Sequence, residues 1–123
     1  MALVGYITEQ VINALGLGIA ANTPIYIGPS NITHMQQSHL QDYQKYGADI
    51  STIIASPDYV GMNPTDASIE YVKEYVIDGN FVKVAVRVAA SGRFYARSIY
   101  VLNPNRVHNF IQKGTLKPLT NPT

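Results

Sequence analysis

Ser68 to Leu102 reads SIEYVKEYVIDGNFVKVAVRVAASGRFYARSIYVL, and the reading of this stretch decides the fold. It predicts three β-strands joined by tight turns at Asp78-Gly79-Asn80 and Ser91-Gly92, because Gly and Asn accept the positive φ that short hairpin loops need. In the middle strand Val82, Val84, Val86 and Val88 alternate with Phe81, Lys83, Ala85 and Arg87, which puts the two sets on opposite faces. The valine face needs a cover, whereas the face carrying Lys83 and Arg87 can stay open. With two-residue loops at both turns, Ile69, Tyr71, Lys73, Tyr75 and Ile77 join the valines, as do Tyr95, Arg97, Ile99 and Val101. Glu70, Glu74, Ser98 and Tyr100 then share the other face with Lys83 and Arg87. A three-residue loop at Asp78 would instead invert the first strand, since a one-residue slip moves every side chain to the opposite face. The plainer reading of the polar face is a half-solvated sheet with cross-strand Glu–Lys and Glu–Arg pairs. The sharper reading is a binding face.

Working outward, Leu3 to Ile7 predicts a short strand, with Thr8 as N-cap of a helix that carries Val11, Ile12 and Leu15 and ends at Gly16 and Gly18. Pro24 to Gly28 reads as a second short β segment. The clearest helical pattern runs from Ile32 to Tyr46, with Asn31 as N-cap and Gly47 at its end. Its apolar stripe is Ile32, Met35, His39, Tyr43 and Tyr46, and His34, Ser38, Gln41 and Lys45 lie opposite. On an unbroken helix His34 and His39 point about 140° apart and cannot share one small site. His39 on the stripe reads first as a hydrogen-bonded core residue, and otherwise as a titratable group at the rim of the sheet. A short helix over Asp49–Ala55 stops at Pro57. Asn103-Pro104 opens a last helix with Val107, Phe110 and Ile111, and Leu116 to Thr123 reads as a frayed tail. Helices, then a mostly antiparallel sheet, then a helix make an α+β layer arrangement. A single domain spans 1–123: a strand and helix segment over 1–24, a core over 25–117 and the tail over 118–123.

The chain has no cysteine, no apolar run approaching the roughly 20 residues of a membrane helix and no signal-peptide pattern, so no membrane span and a cytoplasmic location are expected. Three scattered histidines point to no metal site and no cofactor. Net charge is +1, but its distribution is lopsided. All eight carboxylates lie at or before Asp78; beyond it stand Lys83, Arg87, Arg93, Arg97, Arg106, Lys113 and Lys117 and no acid. A face of this kind suits a polyanion, because phosphate contacts supply most nucleic-acid affinity.

There is no phosphate-binding Gly-rich loop, no His-Glu-x-x-His and no Gly-x-Ser-x-Gly, and Ser98 has no evident triad partners. What is present is an ordered set of short motifs. Asn31-Ile-Thr-His34 runs through His39 to Tyr46-Gly47, followed by Ile54-x-x-Pro57-Asp58-Tyr59-Val60-Gly61. Then come Ser68-Ile-Glu-Tyr-Val-Lys-Glu74, Val84-Ala-Val-Arg87, Ala96-Arg97-Ser98-x-Tyr100 and Phe110-Ile111 before Gly114-Thr-Leu116. In order and spacing, over about residues 25 to 117, the set resembles the phage-associated branch of the barnase–EndoU–colicin–RelE-like nucleases, found in phage and prophage polyvalent proteins and in toxins.

The resemblance implies helices packed on an antiparallel sheet and metal-independent RNA cleavage. A base takes the 2′-OH proton, that oxygen attacks phosphorus, and an acid protonates the leaving 5′-oxygen. Carried onto this chain, His34 and His39 become acid/base candidates, Arg97, Arg87 and Lys73 hold the scissile phosphate with Lys83 nearby, and Ser98 and Tyr100 hydrogen-bond a phosphate oxygen. Glu70 is the nearest match to an active-site glutamate. The faces conflict: Lys73, Arg97 and His39 fall on the covered side, and Arg87, Ser98 and Tyr100 on the open one. Either the helices leave a cleft over the valine face, or one set is structural. The expected function is a toxin or phage effector cleaving tRNA or other cellular RNA, with a cognate immunity or antitoxin protein as partner. The alternatives are an inactive nuclease-like module that binds RNA or a protein, and a phage structural or assembly domain.

Overall fold

The alternating valines lie at the middle of a seven-stranded sheet in the computed structural model, which describes residues 1–119. In chain order the elements are β1 (Ala2–Ile7), α1 (Glu9–Leu15), β2 (Thr23–Ile27), α2 (Pro29–Ser38) and α3 (Leu40–Tyr46). A 3₁₀ turn over Gly47–Asp49 leads into α4 (Ile50–Ala55), β3 (Tyr59–Met62), β4 (Ile69–Tyr75), β5 (Asn80–Val88), β6 (Phe94–Leu102), α5 (Pro104–Gln112) and β7 (Leu116–Pro118). The strand order is β1-β2-β6-β5-β4-β3-β7, antiparallel except for β2 beside β6. The fold is α+β, as the strand and helix patterns predict.

The first turn spans Val76 to Gly79, since Tyr75 pairs with Asn80. Its even length gives the same register parity as a two-residue loop, so Ile69, Tyr71 and Lys73 do face the same way as Val82, Val84 and Val86. This face is covered by α1, α4 and the inner sides of α2 and α3. Val11, Ile53, Ile54, Met35 and Tyr46 close over Tyr71, Val84 and Ile99 in the main core. Full burial of each such side chain contributes roughly 1.5–3 kcal/mol. The opposite face is open at one end only. At the other, α5 and β7 bring Val107 and Leu116 over Val72, Phe81 and Leu102 to form a second, smaller core.

Three expectations change. First, the β5–β6 ladder slips between Ala85 and Val86: Ala85 pairs with Ser98, yet Val86 pairs with Ala96. Arg97 is the extra residue of a β-bulge. Ala96 therefore takes the core position, and Tyr95 moves to the face of Arg87. Second, the helix expected over 32–46 is two helices. The backbone breaks at His39 (φ −146°, ψ 64°), and α2 starts earlier, with Gly28 as its cap and Pro29 in the first turn. Asn31 sits one turn in and its Oδ1 accepts from the Gly28 N–H at 2.8 Å. The break redirects α3, so that the Asp42 carboxylate accepts from Val101 N–H at 3.0 Å and the Tyr46 hydroxyl donates to Asp78 at 2.8 Å. Third, the tail expected from Leu116 begins as β7 on β3. Gly61 permits this approach, because a Cβ there would collide with the Thr115 carbonyl. The rest of the expected tail, residues 120–123, lies outside the described residues.

Candidate functional site

At its open end the polar face forms a cleft of about 420 Å³. Its floor is Ala85 and Arg87 of β5 with Arg97 and Ser98 of β6; one wall is Ser30, Asn31 and His34 of α2, and the other is Asp66 and Ser68 before β4. The local sequence explains each wall. Pro29 fixes the first turn of α2, and residues 30, 31 and 34 then recur on one helix face. On the far wall, Asp66 accepts from the Ser68 N–H at 2.9 Å and reaches Arg87 at 3.4 Å.

The bulge resolves the conflict between the two faces. It brings Arg97 to the cleft floor beside Arg87 and Ser98. Arg97 Nε is buried and has no acceptor among the described residues. A buried donor without an acceptor is costly, and this one belongs to a side chain that lines the cleft.

A second cavity of about 310 Å³ follows along the same face, under α5. Glu70, Lys83 and Tyr100 form its floor, and Arg106, Phe110 and Lys113 stand at its side. Lys83 Nζ bonds Glu70 at 2.7 Å, with both side chains 11% exposed, and lies 4.7 Å from the centre of the Tyr100 ring. Burial disfavours the Lys83 charge, but the Glu70 carboxylate and the Tyr100 hydroxyl outweigh it and hold its pKa above the ordinary lysine value. Glu70 is thus an ion-pair partner, and the Lys83 charge is already matched. The Asp66 carboxyl is held below the usual range, chiefly by the Ser68 backbone and side-chain hydrogen bonds; slight burial opposes them, and Arg87 and Lys83 assist.

The sequence-derived residues thus divide. His34, Arg87, Arg97 and Ser98 come together in the first cleft. Tyr100 and Lys83 lie in the second cavity. His39 is exposed at the helix break and is stacked on Tyr100, with centroids 4.9 Å apart and planes at 24°. It is neither on a buried stripe nor in the core. Lys73 stands apart from all of these: it remains on the valine face, at its margin, and donates to the Ser56 carbonyl at 3.1 Å. Among the described residues the valine face is covered by the main core, so of the two alternatives it is the cleft over that face that fails. Sequence reasoning passed over Ser30, Asp66, Ser68, Arg106 and Lys113 as site residues. The Gly28-Pro29 start was the available signal for Ser30, because it sets the phase of α2. Among the described residues no group of three His, Cys, Asp or Glu side chains could hold a metal ion, and no helix is long and apolar enough to cross a membrane.

The arrangement gathers the His34 imidazole, the Arg87 and Arg97 guanidinium groups and the Ser98 hydroxyl around one cleft. Residues 2–109 match the family described as phage-Barnase-EndoU-ColicinE5/D-RelE like nuclease 3. The match runs from β1 into α5. No curated protein and no solved structure matches the chain. With a match over most of its length, the chain belongs to this phage-associated nuclease family, whose substrates are nucleic acids.

Proposed function

We propose that the chain is a metal-independent endoribonuclease, a toxin or phage effector acting on tRNA or other cellular RNA. The observation that carries this reading is the buried, unpartnered Nε of Arg97 on a cleft floor shared with Arg87, Ser98 and His34. Arg97 and Arg87 hold the scissile phosphate and offset the charge that grows on phosphorus, while Ser98 donates to a phosphate oxygen. His34 takes the proton from the 2′-OH. The 2′-oxygen–phosphorus bond forms, the bond from phosphorus to the 5′-oxygen breaks, and that oxygen receives a proton from His39, which stacks on Tyr100. The products are a 2′,3′-cyclic phosphate and a 5′-hydroxyl. Only RNA carries the internal nucleophile this requires. A producing cell would need an immunity partner to survive such an activity.

One observation favours a second reading. The Asp66 carboxylate occupies Arg87 within the cleft, which suits a module that binds RNA without turnover. Incubation with total tRNA in EDTA separates the two. The expected result is discrete fragments ending in cyclic phosphate, with cleavage lowered about 100-fold or more in Arg97→Ala and His34→Ala at unchanged Tm. Intact RNA with folded protein would sink the catalytic reading. Salt-sensitive retention of that RNA would support the binding module.

A further inference from the structure

The second cavity has the composition of a nucleotide subsite. Its side offers the Phe110 ring, while the Tyr100 ring on its floor is already stacked on His39 and capped by Lys83 Nζ. The Arg106 guanidinium stands 5.7 Å from the centre of the Phe110 ring, and Lys113 is exposed beside it. The cavity's one carboxylate, Glu70, is matched by Lys83 at 2.7 Å, so Arg106 and Lys113 leave it with a positive charge. Its volume of about 310 Å³ lies at the small end of the ~300–1,000 Å³ usual for ligand pockets. It also lies next to the first cleft along β6. Ser98 lines the first and Tyr100 the second, two residues apart on one face of β6, a step of about 7 Å. Aromatic faces flanked by cations are how single-stranded nucleic acid is held without reading its sequence.

We infer that this cavity binds a nucleotide of the substrate strand neighbouring the scissile phosphate, its base against Phe110 and its phosphate on Arg106 and Lys113. The substrate class is therefore single-stranded RNA longer than a dinucleotide, laid along β6 from α2 toward α5. The inference rests on the nuclease reading for its substrate but on none of the groups assigned to proton transfer.

A 2′-O-methyl hexaribonucleotide, which lacks the nucleophile, separates binding from cleavage. Fluorescence anisotropy should show Arg106→Ala and Lys113→Ala each weakening this oligomer about five- to tenfold and lowering the salt slope by about one. For an unmodified hexamer KM should rise with kcat unchanged, while a dinucleotide, too short to span both cavities, should be cleaved as by the wild type. Both side chains are exposed, so folding is unaffected. Hexamer affinity within about twofold of wild type in both variants, or an equal loss for the dinucleotide, would overturn the subsite. So would failure of the wild-type protein to bind the hexamer. If the wild type cleaves nothing but Arg106→Ala still weakens hexamer binding, the subsite stands and the catalytic reading falls.

Discussion

Arg97 carries most of what distinguishes the cleft from an ordinary polar sheet face. The neighbouring cations are matched: Lys83 by Glu70 and Arg87 by Asp66. Asp66 also gives the site a pH dependence whose sign is fixed. Its pKa in the folded chain is depressed, so its charge stabilises the fold above the unfolded value, near 3.9, and that contribution is lost as pH falls through the folded value. Asp66→Asn keeps an oxygen for the Ser68 N–H and removes only the charge. Thermal melts should therefore show Asp66→Asn a few degrees at most below wild type at neutral pH, the modest effect of an exposed pair. The two curves should converge in acid. A deficit that persists at low pH would assign the effect to the turn and not to the charge.

At the scale of the element, the β6 bulge and the break at His39 are the two irregularities that build the site, and neither was legible in the sequence. Period-two alternation places Val84 opposite Ile99, as observed. It carries no mark of the extra residue between Ala96 and Ser98, because no glycine or proline signals it. The break at His39 has the same character. The stripe from Ile32 to Tyr46 fits one helix, but tertiary contacts of Asp42 and Tyr46 with strands and turns override it. By contrast the positions of the turns, though not their lengths of four and five residues, the valine face, the α5 start at Asn103-Pro104 and the cleft-lining residues His34, Arg87, Arg97 and Ser98 were legible, since each follows from local pattern or motif order. Deleting Arg97 tests the bulge directly. The ladder would become regular, with Ser98 opposite Ala85 and Ala96 opposite Val86. The expected product has native circular dichroism and cooperative unfolding but no cleavage of RNA. Retained cleavage would show that the floor does not depend on the bulge.

For the molecule as a whole, the charge asymmetry along the chain becomes a spatial one. Of the seven basic residues after Asp78, Lys83, Arg87, Arg97, Arg106 and Lys113 line two consecutive cavities on one side of the sheet, while the other side is buried under helices. The sequence shows the imbalance but not that α5 would fold over part of the polar face, because amphipathic pattern names a buried stripe without naming what it meets. The sheet itself is forked. Beyond Ile25–Phe94 and Tyr26–Tyr95, β2 leaves β6, and from there α2 and α3 run alongside the strand. The Asp42 carboxylate holds the Val101 amide at this half-buried border. An unpaired strand border is a template on which a second chain can add, so by occupying that amide Asp42 is expected to guard against self-association. Asp42→Ala should leave RNA contacts intact yet make concentrated solutions turbid on warming, and light scattering equal to that of wild type would remove that role.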